Sequence, residues 1–298
     1  MSKQNSQMPK LKQISKLDFD PEIFETHKTG TDIDQMFSVK GGIPKATNWM
    51  IVGDPGVGKS TVTLDVLANL HEQGVRVLFI SAEMNEVDLY MYVERYPKFG
   101  KLNIFFPQEC EDQGINAKEA LVELLNQGWD VVLTDSFVEL QDIIREVGHM
   151  TGRSAEKFLL QQMYNHNLGQ NDRNCYTSFL NIQQVNKGGV FVGSNKLKHM
   201  TTGMMEIRFV NEETQEERYI VFSKNRRGDV GKQMFFDLSG EGDVQYDTDR
   251  FEKAEKFREL RKTEKEKIKD EGLKVDELLG LVDPDNTPLD SSSENTEE

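Results

Sequence analysis

Thiols are almost missing from this chain. Of its 298 residues only Cys110 and Cys175 are cysteine, and they stand apart with no CxxC pairing. That argues against both a zinc ribbon and a disulfide framework. Long apolar runs are missing too: nothing approaches the roughly 18 consecutive apolar residues of a membrane span. The opening MSKQNSQMPKLKQ lacks the apolar segment of a secretory signal. The expectation is a soluble, cytoplasmic protein that makes no membrane contact. Positive charge is also in short supply, with 36 Lys and Arg against 51 Asp and Glu and a net charge of −15. A broad basic surface of the kind that grips duplex DNA is therefore not expected, although local basic loops remain open.

Part of the acidity sits at the C-terminus, where residues 283–298 hold Asp283, Asp285, Asp290, Glu294, Glu297 and Glu298 and no cation. Such a composition predicts a disordered acidic tail. The chain divides by pattern into a flexible N-terminal arm (1–29), a core (30–247), a charged helical extension (248–281) and the acidic tail (282–298). In the extension, Phe251, Ala254, Phe257 and Leu260 recur every three residues amid Glu and Lys, which predicts an exposed helix with a thin apolar stripe.

Within the core, apolar runs alternate with helical patterns. NWMIVG (48–53) precedes a helix from Lys59 to about Gln73, VRVLFIS (75–81) a helix near 86–95, and LNIFF (102–106) a helix over 116–127. WDVVLTD (129–135) follows, with a further helical stretch. This order predicts an α/β fold, a parallel sheet flanked by helices. After Tyr176 the strands TSFLNIQQ, MMEIRFV, ERYIVFSKN and QMFFDL come without long helices between them, and NEETQ signals a hairpin. The sheet should be extended by antiparallel strands. In helix 59–73, Val62, Val66, Leu67 and Leu70 recur at helical spacing. One face should pack on the sheet, with Asp65 and Asn69 on others.

The strongest motif is GDPGVGKST, comprising Gly53, Asp54, Pro55, Gly56, Val57, Gly58, Lys59, Ser60 and Thr61. It satisfies GxxxxGK[ST] between a strand and a helix, the context the motif requires. Its glycines let backbone N–H groups curl around a phosphate, and the helix N-terminus adds a favourable dipole. Lys59 would reach the β- and γ-phosphates and the Ser60 hydroxyl would ligate Mg²⁺. A second carboxylate for the metal should end a neighbouring strand. Asp135 closes WDVVLTD, whereas Asp130 precedes the apolar run and is the structural alternative. Glu83 ends FISAE at the same sheet edge and is the candidate to orient or deprotonate water, with Glu86 and Asp88 as rivals. The run FSKNRRGD gathers Lys224, Arg226 and Arg227.

With these motifs in order, the chain resembles the RecA-type ATPases, most closely the ATPase core of the RadA/Sms DNA-repair proteins. The resemblance runs from about Thr29 to Leu238 through KTGTDIDQMFSVKGGIPK, GDPGVGKST, SAEM, LTDS, VNKGGVFVG, KHM and KNRRG. It implies DNA-stimulated hydrolysis of ATP with Mg²⁺, acting on single-stranded DNA in recombination, repair or replication. It also implies a ring-shaped homo-oligomer, a hexamer, in a bacterial or phage-infected cell, with the tail free to recruit replication or recombination proteins. By that resemblance Gln184 is the polar sensor, with Gln183 its rival. Lys187, Lys196 and Lys198 contact DNA from a channel loop, and Lys224 and Arg226 reach the nucleotide of the adjacent subunit. Arg227 departs from the family's KNRFG, where Phe stands. Set beside that resemblance, the zinc-binding cysteines and protease-like domain of those relatives are not expected in this sequence, with some 60 residues after Leu238. SAEM also resembles the DnaB-like replicative helicases. A RecA-like strand exchange protein and a nucleotide-gated scaffold without motor activity are the further alternatives.

Overall fold

The structure is a computed structural model. It describes residues 11, 13–14, 17–18, 20–183, 195–238 and 242–278, without the side chains of 195, 196, 198, 268 and 270–278. In chain order the elements are β1 (Thr26–His27), α1 (Asp34–Phe37), β2 (Ile43–Pro44), β3 (Asn48–Gly53), α2 (Lys59–Glu72), β4 (Val77–Ser81), α3 (Glu86–Arg95), β5 (Ile104–Phe105) and α4 (Ala117–Asn126). They continue with β6 (Val131–Asp135), α5 (Phe137–Val147), α6 (Gly152–Asn167), β7 (Ser178–Ile182), α7 (Asn195–Met200), β8 (Gly203–Phe209), β9 (Arg218–Asn225), β10 (Gln233–Asp237), β11 (Gln245–Tyr246) and α8 (Thr248–Leu278). Two compact units divide between Asp247 and Thr248. The second holds α8, on which Phe257 and Leu260 are exposed. Ordered backbone reaches upstream of Gly30: a 3₁₀ turn at Pro21–Phe24 is capped by Asp20, and β1 pairs antiparallel with β2.

The main sheet has nine strands in the order β11-β10-β9-β8-β3-β7-β6-β4-β5. Pairings from β8 to β5 are parallel, and β9, β10 and β11 join antiparallel. It is a mixed sheet flanked by helices, as the alternation of patterns predicts. One face carries Met50, Leu78, Ile80, Val132 and Phe179, packed with Leu121 of α4, Leu140 and Ile144 of α5, and Leu159 and Met163 of α6. The intervening strand positions point to the opposite face, where α2 lies against β3, β4 and β6. Beside it Phe37, Trp49 and Phe222 form an aromatic cluster with centroids 4.9–6.5 Å apart, fastening α1 and β9 to the central strand.

Helix α2 departs from the amphipathic expectation. Every residue from Thr61 to Leu70 is buried, Asp65 and Asn69 included. The sheet covers one side. On another, the turn Pro97–Lys101 and the segment Asp243–Tyr246 supply partners for the two polar side chains. A buried carboxylate is tolerated because it is paired and hydrogen-bonded.

Candidate functional site

The P-loop fixes the site. It leaves the end of β3, where the parallel ladder to β8 sets Gly53 opposite Ile207. A Cβ on Gly53 would lie 2.1 Å from the Ile207 carbonyl oxygen, so the sheet itself requires glycine there. Gly58, the N-cap of α2, has φ +98°, and a Cβ on it would meet the Leu238 side chain at 2.4 Å. Both constraints hold the loop tightly against its surroundings before any ligand arrives. Lys59 Nζ donates to the carbonyls of Gly53 and Asp54, each at 2.9 Å. Burial lowers its pKa, against the opposing pull of Asp135, Glu83 and Asp54.

Two carboxylates stand beside the loop. Asp135 ends β6, is buried, and accepts a hydrogen bond from Ser60 Oγ at 2.6 Å. Burial raises its pKa to about 6, with the Glu83 charge adding to the rise and Ser60 and Lys59 opposing it. Its carbonyl accepts from the backbone N–H groups of Ala82 (2.7 Å) and Glu83 (3.1 Å), which ties the end of β4 to the end of β6 and sets Glu83 beside the cavity. The buried carboxylate and adjacent hydroxyl are hard oxygen donors of the type Mg²⁺ takes, and the cation's charge would compensate the burial of Asp135. Ser60 and Asp135 would hold the ion, which would neutralise phosphate charge.

The remaining candidates separate. Asp130 lies just before β6, at the opposite end from Asp135, accepts from the Arg76 N–H, lies 3.5 Å from Arg173 and does not line the cavity. Asp88 belongs to the capping box of α3 with Asn85, and neither Glu86 nor Asp88 lines the cavity. Gln183 is buried. Gln184 and Lys187 lie outside the described residues. Lys196 and Lys198 fall on the short helix α7, not on a loop, and their side chains are outside the description. Lys224 Nζ (3.4 Å) and Arg226 Nη2 (3.3 Å) both donate to the His199 carbonyl at the end of α7. They sit at the edge of the sheet remote from the P-loop: Asn225 pairs with Gly203 at the start of β8, whereas Arg218 at the other end of β9 lines the cavity. At about 3.3 Å per residue, Lys224 is about 20 Å along the strand from Arg218. Arg227 turns back onto its own chain, donating to the Lys45 carbonyl, and Asn225 Nδ2 donates to the Phe37 carbonyl at 3.0 Å. The exposed Arg227 thus lies beside Ile23, Phe24, Val39 and Pro44.

The cavity of about 890 Å³ also has walls that sequence reasoning missed: Tyr92 and Arg95 from α3, Gln215, Glu216 and Arg218 from the β8–β9 hairpin, and Asp237 and Leu238 from β10 and just beyond. No motif marks them, because they meet the P-loop only through sheet order.

Residues 27–102 match the family model described as "ATPase: KaiC". The chain is 27% identical over 229 residues to the DNA repair protein RadA of Campylobacter jejuni, covering 75% of this chain and 47% of that protein. It is 26% identical over 246 residues to RadA of Streptococcus pyogenes, covering 81% and 49%. It is 27% identical over 210 residues to Protein RecA of Rickettsia conorii, covering 67% and 59%. The chain therefore spans about half the length of the curated relatives it matches. A KaiC-like protein from Pyrococcus horikoshii superposes with a TM-score of 0.51 at 18% identity, over 75% of this chain and 99% of its own. The chain therefore shares the P-loop fold of that KaiC-like protein, and its residues 27–102 are similar to a KaiC-type ATPase.

Proposed function

We propose that the protein hydrolyses ATP with Mg²⁺ and couples that hydrolysis to single-stranded DNA, in the manner its likeness to RadA and RecA suggests. The observation that carries the reading is the 2.6 Å bond from Ser60 Oγ to Asp135 Oδ2, with Lys59 and Glu83 lining the same cavity. A phosphate-cradling loop, a metal pair and a carboxylate at the same cavity are the parts that phosphoryl transfer to water needs. Lys59 would hold the β- and γ-phosphates. Glu83, exposed at the cavity edge, would orient the attacking water and receive its proton.

The site takes its last cation from a second copy in this reading. Lys224 and Arg226 do not line their own chain's cavity, and a cation at the γ-phosphate stabilises charge in the transition state. An interface between copies would bring them there. The α7 segment and the residues before it, Lys187, Lys196 and Lys198 among them, would face DNA. Because both cations reach the carbonyl end of α7, they would link nucleotide state to that segment.

The test is steady-state ATP hydrolysis with and without single-stranded DNA, for the native chain and Glu83→Gln. Native turnover should rise on adding DNA. Glu83→Gln should lose about 100-fold or more in turnover while still binding ATP. Turnover indifferent to DNA would leave a nucleotide-gated scaffold as the better reading, and full turnover by Glu83→Gln would remove that residue from the chemistry.

A further inference from the structure

Opposite Gly58 the cavity wall is made by two segments that reach the P-loop only through tertiary contacts. Tyr92 and Arg95 come from the last turns of α3, and Asp237 and Leu238 from the end of β10. They hold each other: the Leu238 carbonyl accepts from Arg95 Nη2 and from Tyr96 Oη, the latter at 3.4 Å. The Leu238 side chain sits where a Gly58 side chain would otherwise be.

Both segments are tied back to the P-loop helix by one ionic cluster. Asp65 of α2 is 1% exposed and pairs with Lys98 Nζ at 2.6 Å. Lys98 lies in the turn Pro97–Lys101 that follows α3 and Tyr96. Its ammonium also donates to Asn69 Oδ1 at 2.8 Å and pairs with Asp243 at 2.5 Å. Asp65 in turn accepts from Val244 N–H at 3.2 Å, just before β11, and from Tyr246 Oη at 3.4 Å, on β11, which pairs with β10. A single buried carboxylate therefore fixes α2, the end of α3 and the return of the chain from β10 relative to one another. Apolar side chains of similar volume hold segments together at least as firmly as a buried ion pair. Directional charges add a fixed register.

We infer that the Asp65–Lys98–Asp243 cluster positions the wall that receives the nucleoside end of the bound nucleotide, setting the gap between Gly58 and Leu238. The inference rests on the nucleotide reading above. The phosphate end shares α2 with Asp65, but Lys59 is held by the Gly53 and Asp54 carbonyls and Ser60 by Asp135, contacts made at the first turn of the helix and not by the cluster. Losing the cluster should then weaken nucleoside recognition and leave phosphate recognition and chemistry in place. Asp65, Lys98 and Asp243 are positioning residues in this account and touch no reacting atom.

The experiment compares the native chain with Asp243→Ala and with the double variant Asp65→Asn, Lys98→Met, which removes both buried charges together. Asp243 is 68% exposed, so its removal spares the fold. Calorimetric titration with ATP and with inorganic tripolyphosphate, both with Mg²⁺, reads the two ends of the site separately. Affinity for ATP should fall about tenfold or more in the double variant and less in Asp243→Ala, while affinity for tripolyphosphate changes by less than about twofold. In turnover, KM for ATP should rise with kcat held, the mark of an interaction equal in ground and transition states. Unchanged ATP affinity, or equal losses for both ligands, would overturn the inference. A native chain that binds tripolyphosphate but discriminates nothing in ATP would overturn it as well. Failure of the native chain to bind ATP at all would instead overturn the nucleotide reading beneath it.

Discussion

Gly58 concentrates the site's demands on one residue. Its φ of +98° and the Leu238 side chain at 2.4 Å from any added Cβ both exclude a side chain. Gly58→Ala should cost about 1–2 kcal/mol from the left-handed backbone alone. It should also lower ATP affinity by forcing the Leu238 wall outward, which a melt and a nucleotide titration would read together. A stable variant with native affinity would contradict the close approach. Single residues were also where sequence was most informative. Gly53 to Thr61, Asp135 and Glu83 were legible because a phosphate cradle needs glycine, a strand end and a helix start in succession, and because carboxylates at strand ends converge on one sheet edge. Asp65 was not legible. Its spacing put it off the sheet-facing stripe, and its burial comes from Lys98 and from chain more than 170 residues further on.

Among the elements, α6 and β7 carry a pH dependence of the fold itself. His166 of α6 is buried, lies 6.5 Å from the Phe179 ring of β7, and has an unpartnered Nδ1. Burial lowers its pKa below the ordinary 6.5. The unfolded chain then binds the proton more readily than the folded one, so stability falls as pH drops through 6.5 toward the folded value. Melting temperature should decrease between about pH 7.5 and pH 5.5, and His166→Phe should flatten part of that decrease. An identical slope in the variant would remove His166 as a source. Burial likewise lowers His27, which contributes in the same direction and is untouched by the substitution. At this scale the alternation of strands and helices was readable. The length of β5 and the helical form of 195–200 were not, since short elements depend on what they pack against. The cavity walls from α3, the β8–β9 hairpin and Leu238 were equally hidden, because periodicity records which face is buried and not which segments become neighbours.

At the scale of the whole molecule, the proposed function divides the labour between two edges of one sheet. One edge holds the P-loop, Glu83 and Asp135; the other holds Lys224 and Arg226 at the end of α7. Arg227 folds onto its own chain, donating to the Lys45 carbonyl. The account's central claim is that ATP turnover requires both edges from two copies. Arg226→Ala and Lys59→Ala should each show little or no ATP turnover alone. Mixed in equal amounts, random assembly makes about a quarter of the interfaces carry an intact P-loop facing an intact Arg226. The decisive measurement is the ATPase rate of that mixture. Recovery to about a quarter of the native rate is the expected result. A mixture that co-assembles yet stays as inactive as its parents, or an Arg226→Ala protein that hydrolyses ATP at the native rate by itself, would contradict the claim.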